Sequence, residues 1–304
     1  MQHAYEYNKN SFLRPIRCAF AVVGLFFGLL LCGYAQSPER AGVRDAKMGM
    51  ERIDAEEGAR RLNAFREQRL QGDYVFDFQL EHKARKARTV RYDGIMWGSW
   101  NEHGAITRFE ISTGLAGAGA DLELLIQNGR EPKAWRRRNP SEDFKLIKGK
   151  DLFQPLLPGL VYSVFDLQMP FIFWDNFIYE GPSLVGASRV AQRFLMIPPE
   201  GSESARQGIS GVRVSLDDTY NALWRVEVLD EGSNIRSKFS VESFKKVQEQ
   251  YIVKRITLVD YPSKDRTTFK VLDASVGLKL DGKLFEMPDS TMPELERSPC
   301  CDVK

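Results

Sequence analysis

Alternation of apolar and polar residues dominates the middle of the chain. Tyr74, Phe76, Phe78 and Leu80 alternate with Val75, Asp77, Gln79 and Glu81, the period-2 pattern of a strand with one buried side. The same pattern predicts strands over 90–96, with Gly94 marking a bulge, and over 105–111, 122–126 and 133–138. It resumes over 189–197, 211–216, 222–229, 235–246, 251–260 and 266–276. In the 222–229 strand Trp224, Val226 and Val228 form the apolar side. Asp230-Glu231-Gly232-Ser233-Asn234 reads as a hairpin loop. Successive strands with one polar side predict an antiparallel sheet wet on one face.

Two stretches depart from this period. Asp54-Ala55-Glu56-Glu57 has the spacing of a capping box and opens a predicted helix to about Leu70, stopped by Gly72. Ala55, Ala59, Leu62 and Phe65 share one face of that helix, which is expected to pack on the sheet. The second stretch, 160–179, is rich in aromatics and poor in charge. Leu160, Val164, Leu167 and Phe171 fall on one helical face, and Pro170 should stop or kink the helix near Met169. This stretch reads either as a core helix filling the sheet or as a lid over an apolar cavity.

Composition adds bounds. The 304 residues are 43% hydrophobic and 28% charged, ordinary material for a folded core. The N-terminal 35 residues have the layout of a secretory signal. Lys9, Arg14 and Arg17 precede an uncharged apolar run from Cys18 to Leu31, and Gly33 and Ala35 suit cleavage before Gln36. The run is short for a membrane span; retention as an anchor, or lipidation at Cys32, is the alternative. The formal charge of +2 resides in those residues, so the chain after Ala35 is neutral. Nothing global therefore points to nucleic acid. Residues 36–53 read as a linker, 54–289 as one domain, and 290–304 as a flexible tail holding Cys300 and Cys301, neighbours poorly placed to bridge each other.

Candidate chemistry is sparse. His82 and His103 stand on separate segments without zinc spacing and read as surface or turn residues. There is no Gly-x-Ser-x-Gly, and 114–119 lacks the third glycine of a dinucleotide loop. The basic runs 83–88 and 133–138 suit exposed turns and edges; the alternative is a docking face for an acidic partner or lipid headgroups. Asp166 and Asp175 lack an acid–base setting, and helix capping is the plainer role for Asp166. No enzyme, metal or cofactor is implied.

The run Ser163-Val164-Phe165-Asp166-Leu167-Gln168-Met169-Pro170-Phe171-Ile172-Phe173-Trp174, followed by Tyr179-Glu180-Gly181-Pro182, resembles the outer-membrane lipoprotein-sorting (LolA-like) proteins. Trp224-Arg225-Val226-Glu227-Val228, Phe244-Lys245-Lys246-Val247, Arg255-Ile256-Thr257-Leu258 and Leu284-Phe285 resemble the strands that close that domain, and the likeness covers 54–289. The resemblance implies an α+β fold, an antiparallel sheet curled into an unclosed half-barrel with helices covering its concave face. It further implies a cavity for acyl chains of lipoproteins or other lipids, with membrane-embedded release and acceptor proteins as partners. On that fold the cavity is expected to be lined by Phe76, Phe78, Phe109, Ile111, Leu124, Leu160, Val164, Leu167, Phe171, Trp174, Trp224 and Val226. This chain is longer than the best-known sorting chaperone, and no residue aligns with that protein's lid-gripping arginine. The expected function is a periplasmic carrier or binder of lipoprotein acyl chains; the alternative is a lipid- or lipoprotein-responsive regulatory sensor on the same fold.

Overall fold

The computed structural model describes residues 52–288, apart from 86–87, 114–119, 140 and 186–188. The expected signal segment, nearly all of the linker, the 114–119 loop, the tail and all four cysteines lie outside the described residues.

Helix α1 (Ala55–Arg66) starts at Asp54, whose Oδ1 accepts the Glu57 backbone N–H at 2.7 Å. The Glu57 carboxylate turns to Arg60 and Arg61 rather than reaching back to the cap. Leu62 and Phe65 are buried as expected, but the stripe continues through Gly58, leaving Ala59 half-buried and Ala55 exposed. Gly58 is what lets the helix lie against the rings of Tyr179 and Phe194.

The strands are β1 (Asp73–Lys83), β2 (Val90–Asn101), β3 (Gly104–Ser112), β4 (Leu122–Gln127), β5 (Lys133–Arg137) and β6 (Lys145–Leu146) before the central segment. After it come β7 (Phe177–Val185), β8 (Arg189–Met196), β9 (Ile209–Asp217), β10 (Leu223–Asp230), β11 (Ile235–Val247), β12 (Gln250–Asp260) and β13 (Arg266–Leu278). Among the described residues they form one antiparallel sheet of 13 strands, in the order β6-β5-β4-β3-β2-β1-β13-β12-β11-β10-β9-β8-β7. The sheet is an unclosed half-barrel, with β6 and β7 at its free edges. Each connection joins hydrogen-bonded neighbours except the one from β6 to β7, which runs from one free edge to the other.

Glycine at 94 and 98 serves close approach and makes no bulge. Tyr74 lies opposite Gly98 and Phe78 opposite Gly94 in an unbroken β1–β2 register, and a side chain at either glycine would overlap the facing ring. Such rings shield the bare backbone of the glycine. Register shifts fall instead in β1–β13, β10–β11, β9–β10, β11–β12 and β7–β8, where extra residues increase bend and twist. β4 is buried throughout, because Ile106, Leu125 and Trp135 form a second small cluster on the opposite face with Phe144 and Phe285. Edge strand β7 carries Pro182, which has no N–H to donate and so blunts that edge.

Candidate functional site

The segment between β6 and β7 is a strap, and its sequence explains its breaks. Gly149–Phe153 is a 3-10 turn, and Pro155 and Ser163 form an isolated bridge. Ser163 then caps helix α2 (Val164–Gln168). Asp166 Oδ2 accepts from Ser163 N at 2.8 Å and from its hydroxyl at 2.6 Å, while Asp166 N donates to Ser163 Oγ. Met169 takes a left-handed conformation (φ 42°), and Pro170 opens a second 3-10 turn to Phe173. A continuous helix from Leu160 is therefore not formed. Leu160 precedes the cap, and Phe171 follows the break that Pro170 imposes.

Burial nonetheless unites these residues. Leu156, Leu157, Leu160, Tyr162, Val164, Phe165, Leu167, Met169, Phe171 and Ile172 lie in one buried cluster with Phe76, Phe78, Phe109, Ile111, Leu124 and Val226 of the sheet and with Leu62 and Phe65 of α1. Trp174 joins the same cluster at its margin. Of the residues expected to line a cavity, Trp224 does not. The β9–β10 register shifts between Leu223 and Arg225, so Leu223 takes the fully buried position. The half-buried Trp224 ring meets Phe244 and lies under the Arg189 guanidinium, 4.6 Å from its centroid.

Polar tethers hold the strap at few points. The Tyr92 hydroxyl donates to Pro158 O at 2.8 Å, and Val161 N donates to Thr267 Oγ1 at 3.1 Å. Buried Asn128 donates from Nδ2 to Gln168 O at 2.7 Å, just before the break. At the far end Arg66, the last residue of α1, donates from Nε to Ile172 O at 2.6 Å and from a terminal nitrogen to Trp174 O at 2.7 Å. Burial, with Arg130 nearby, lowers the Arg66 pKa from its ordinary value. Arg66 thus grips the strap through its backbone, a role with no side-chain partner to betray it in the sequence.

Two spaces lie beneath the strap. A void of about 10 Å³ sits among Met169, Phe171, Val226, Val228, Phe239 and Leu258, room for a single water at most. A larger cleft of about 380 Å³ opens beside it under the first half of the strap. Pro155, Leu160, Val161 and Phe165 form one wall, and His82, Arg236, Asp260 and Asp265 form the other. Both spaces are bounded by Asp166, Val228, Ser237 and Leu258, so the cleft is an open mouth that adjoins the interior void across these residues.

His82 is buried in that mouth, not on the surface as expected. Its Nδ1 lies 3.0 Å from Thr267 Oγ1, and burial lowers its pKa against the opposing pull of Asp265. The Asp166 carboxyl is pushed up to about 6 by burial, against its bonds to Ser163 and the charge of Arg236. Asp175 is exposed and pairs with Arg130 at 3.2 Å, so the two aspartates form no pair. Among the described residues no group of three or more His, Cys, Asp or Glu is placed to hold a metal ion.

No family model matches the sequence, and no curated protein sequence matches it. Solved structures do. A putative outer membrane lipoprotein-sorting protein domain from Vibrio parahaemolyticus superposes with a TM-score of 0.64 at 15% identity, over 79% of this chain and 97% of the other. A DUF1329 family protein from Desulfovibrio piger gives 0.63 at 13% identity, over 76% and 95%. A LolA superfamily protein from Nitrosomonas europaea gives 0.57 at 14% identity, over 77% and 98%. The chain, from α1 to β13, has the fold of the LolA-like structures that its central run resembles.

Proposed function

We propose that this chain is a non-catalytic binder or carrier of acyl chains, of lipoproteins or other lipids, that takes its ligand by lifting part of the strap from the sheet. The observation that carries this reading is the strap itself. It links the two free edges, buries an almost wholly apolar underside, and is tethered at few polar points beside an open mouth. The proteins of similar fold described as lipoprotein-sorting or LolA-like support the same choice of ligand. Export with cleavage after Ala35, and work in the periplasm, belong to this reading.

Magnitudes limit how the strap opens. Fully exposing one buried apolar side chain costs about 2 kcal/mol, so lifting four costs about 8. An acyl chain of about 15 methylenes returns about 12 kcal/mol on burial. Ligand can therefore offset a partial opening but not removal of the whole strap. The second half, from Met169 to Trp174, is the natural part to move, because the left-handed residue and Pro170 already interrupt its hydrogen bonding, and Arg66 is the tether that must let go of its end.

The test is saturable binding of a fluorescent fatty acid to wild type, Arg66→Ala and Leu167→Glu. Arg66→Ala removes the end tether, raises the open population and should tighten apparent binding several-fold. Leu167→Glu puts a charge where the chain should lie and should abolish binding in a variant that still folds. Absence of saturable binding in both wild type and Arg66→Ala would sink the reading.

A further inference from the structure

Successive residues of a strand face opposite sides of a sheet, and at one end of β1 and β13 this brings two sites back to back. His82 and Thr267 pair across the strands on the buried side, at the mouth of the cleft. Their neighbours Lys83 and Arg266 pair on the outer side. There they border a groove of about 280 Å³ that crosses β1, β13, β12 and β11. Thr257 and Thr268 form its floor, their hydroxyls 3.1 Å apart, with Lys83, Arg266, Lys270 and Arg255 around them.

Two carboxylates also border the groove, and both are engaged. Glu81 pairs with Arg91 at 3.2 Å, while Glu242 accepts from Thr257 at 2.6 Å and lies 3.9 Å from Arg255. Lys83, Arg266 and Lys270 make no ion pair among the described residues. Thr257 donates its proton to Glu242 and Thr268 can donate to Thr257, so an incoming anion would be held by the cations, and grouped cations without carboxylate partners suit a phosphate oxygen. Among the described residues no apolar side chain borders the groove, whereas the centre of a protein–protein interface is apolar.

From this juxtaposition we infer that the outer groove binds the phosphate of an anionic lipid headgroup at a bilayer surface. Docked there, the outer face of β1, β13, β12 and β11 lies on the membrane, and the cleft mouth sits on the opposite face at the same strand ends, close to the surface where an acyl chain is collected or handed over. That second step rests on the proposed lipid-binding function; the headgroup site itself does not.

The experiment is flotation of the chain, in the form recovered from cells, with phosphatidylcholine vesicles and with vesicles containing phosphatidylglycerol. Wild type and a Lys83→Gln/Lys270→Gln variant are compared, with fatty-acid binding and melting temperature measured on both. Wild type should prefer the anionic vesicles and lose that preference in high salt. Removing two cations should weaken vesicle binding about 30-fold, with fatty-acid binding and melting temperature unchanged. Equal binding to neutral vesicles, or a variant that floats as wild type does, overturns the inference. So does inorganic phosphate bound without vesicle preference, or retention on an acidic peptide without vesicle binding. A chain that floats with anionic vesicles but binds no fatty acid keeps the headgroup site and removes the carrier reading. The opposite result removes the site and keeps the carrier.

Discussion

Asp166 shows how one side chain serves structure at a cost. Its carboxylate completes the cap of α2 through Ser163, yet burial raises its pKa from 3.8 to about 6. The folded state therefore holds the proton more tightly than the unfolded chain. Stability from this group is fully present below about pH 4 and is lost as pH rises through 6. Asp166→Asn should flatten that slope, a change on the order of 2 kcal/mol between pH 4 and 7, read from urea midpoints across the range. A slope that persists in the variant would place its source elsewhere. The cap was legible in the spacing of Ser163 and Asp166. His82 was misread as a surface residue, although the series Tyr74, Phe76, Phe78, Leu80 runs on to its buried position by twos. The grip of Arg66 on the strap was not legible: beyond its bond to Asn63 on its own helix, its partners are carbonyl oxygens of residues more than 100 positions away.

At the scale of elements, the strap is shaped by Met169 and Pro170. An L-residue in the left-handed region costs about 1 kcal/mol, while burying a methionine side chain contributes about 2, so burial wins and Met169 is kept. Truncation should invert the usual preference for alanine over glycine. Met169→Ala loses the burial and keeps the strain, whereas Met169→Gly loses both, so the glycine variant should melt no lower than the alanine one. If alanine proves clearly the more stable, the left-handed turn is not a feature of the folded chain. Helical spacing in 160–171 misled because four apolar residues at helical intervals also suit a broken segment that buries every side. Strand β7 went unread for a related reason: Phe177 and Tyr179 continue the aromatic run of the strap, and the turn residues Asp175 and Asn176 that separate the two were read as part of one apolar stretch.

For the whole molecule, alternation along the sequence was enough to read most of the strands but not their order. Neighbouring strands follow from short turns, yet nothing local says that β1 lies against β13, with Asp73 opposite Leu278 and Lys83 opposite Arg266. That pair is the seam between two meanders, β1 to β6 and β7 to β13, each built only from neighbouring hairpins. Hairpins close short loops, while the seam must close nearly the entire described chain, so each meander should form before the two join. Val271→Ala, a seam substitution at a buried position, should therefore speed unfolding and leave refolding near wild type in stopped-flow measurements. An equal slowing of refolding would put the seam in the folding nucleus instead. The same topology divides the two ways the chain can come apart. A protease that nicks the strap leaves one continuous sheet held by β1 and β13, whereas failure of that pair leaves two half-sheets joined by the strap and by α1, which precedes β1 yet packs on Tyr179 and Phe194 of the other meander.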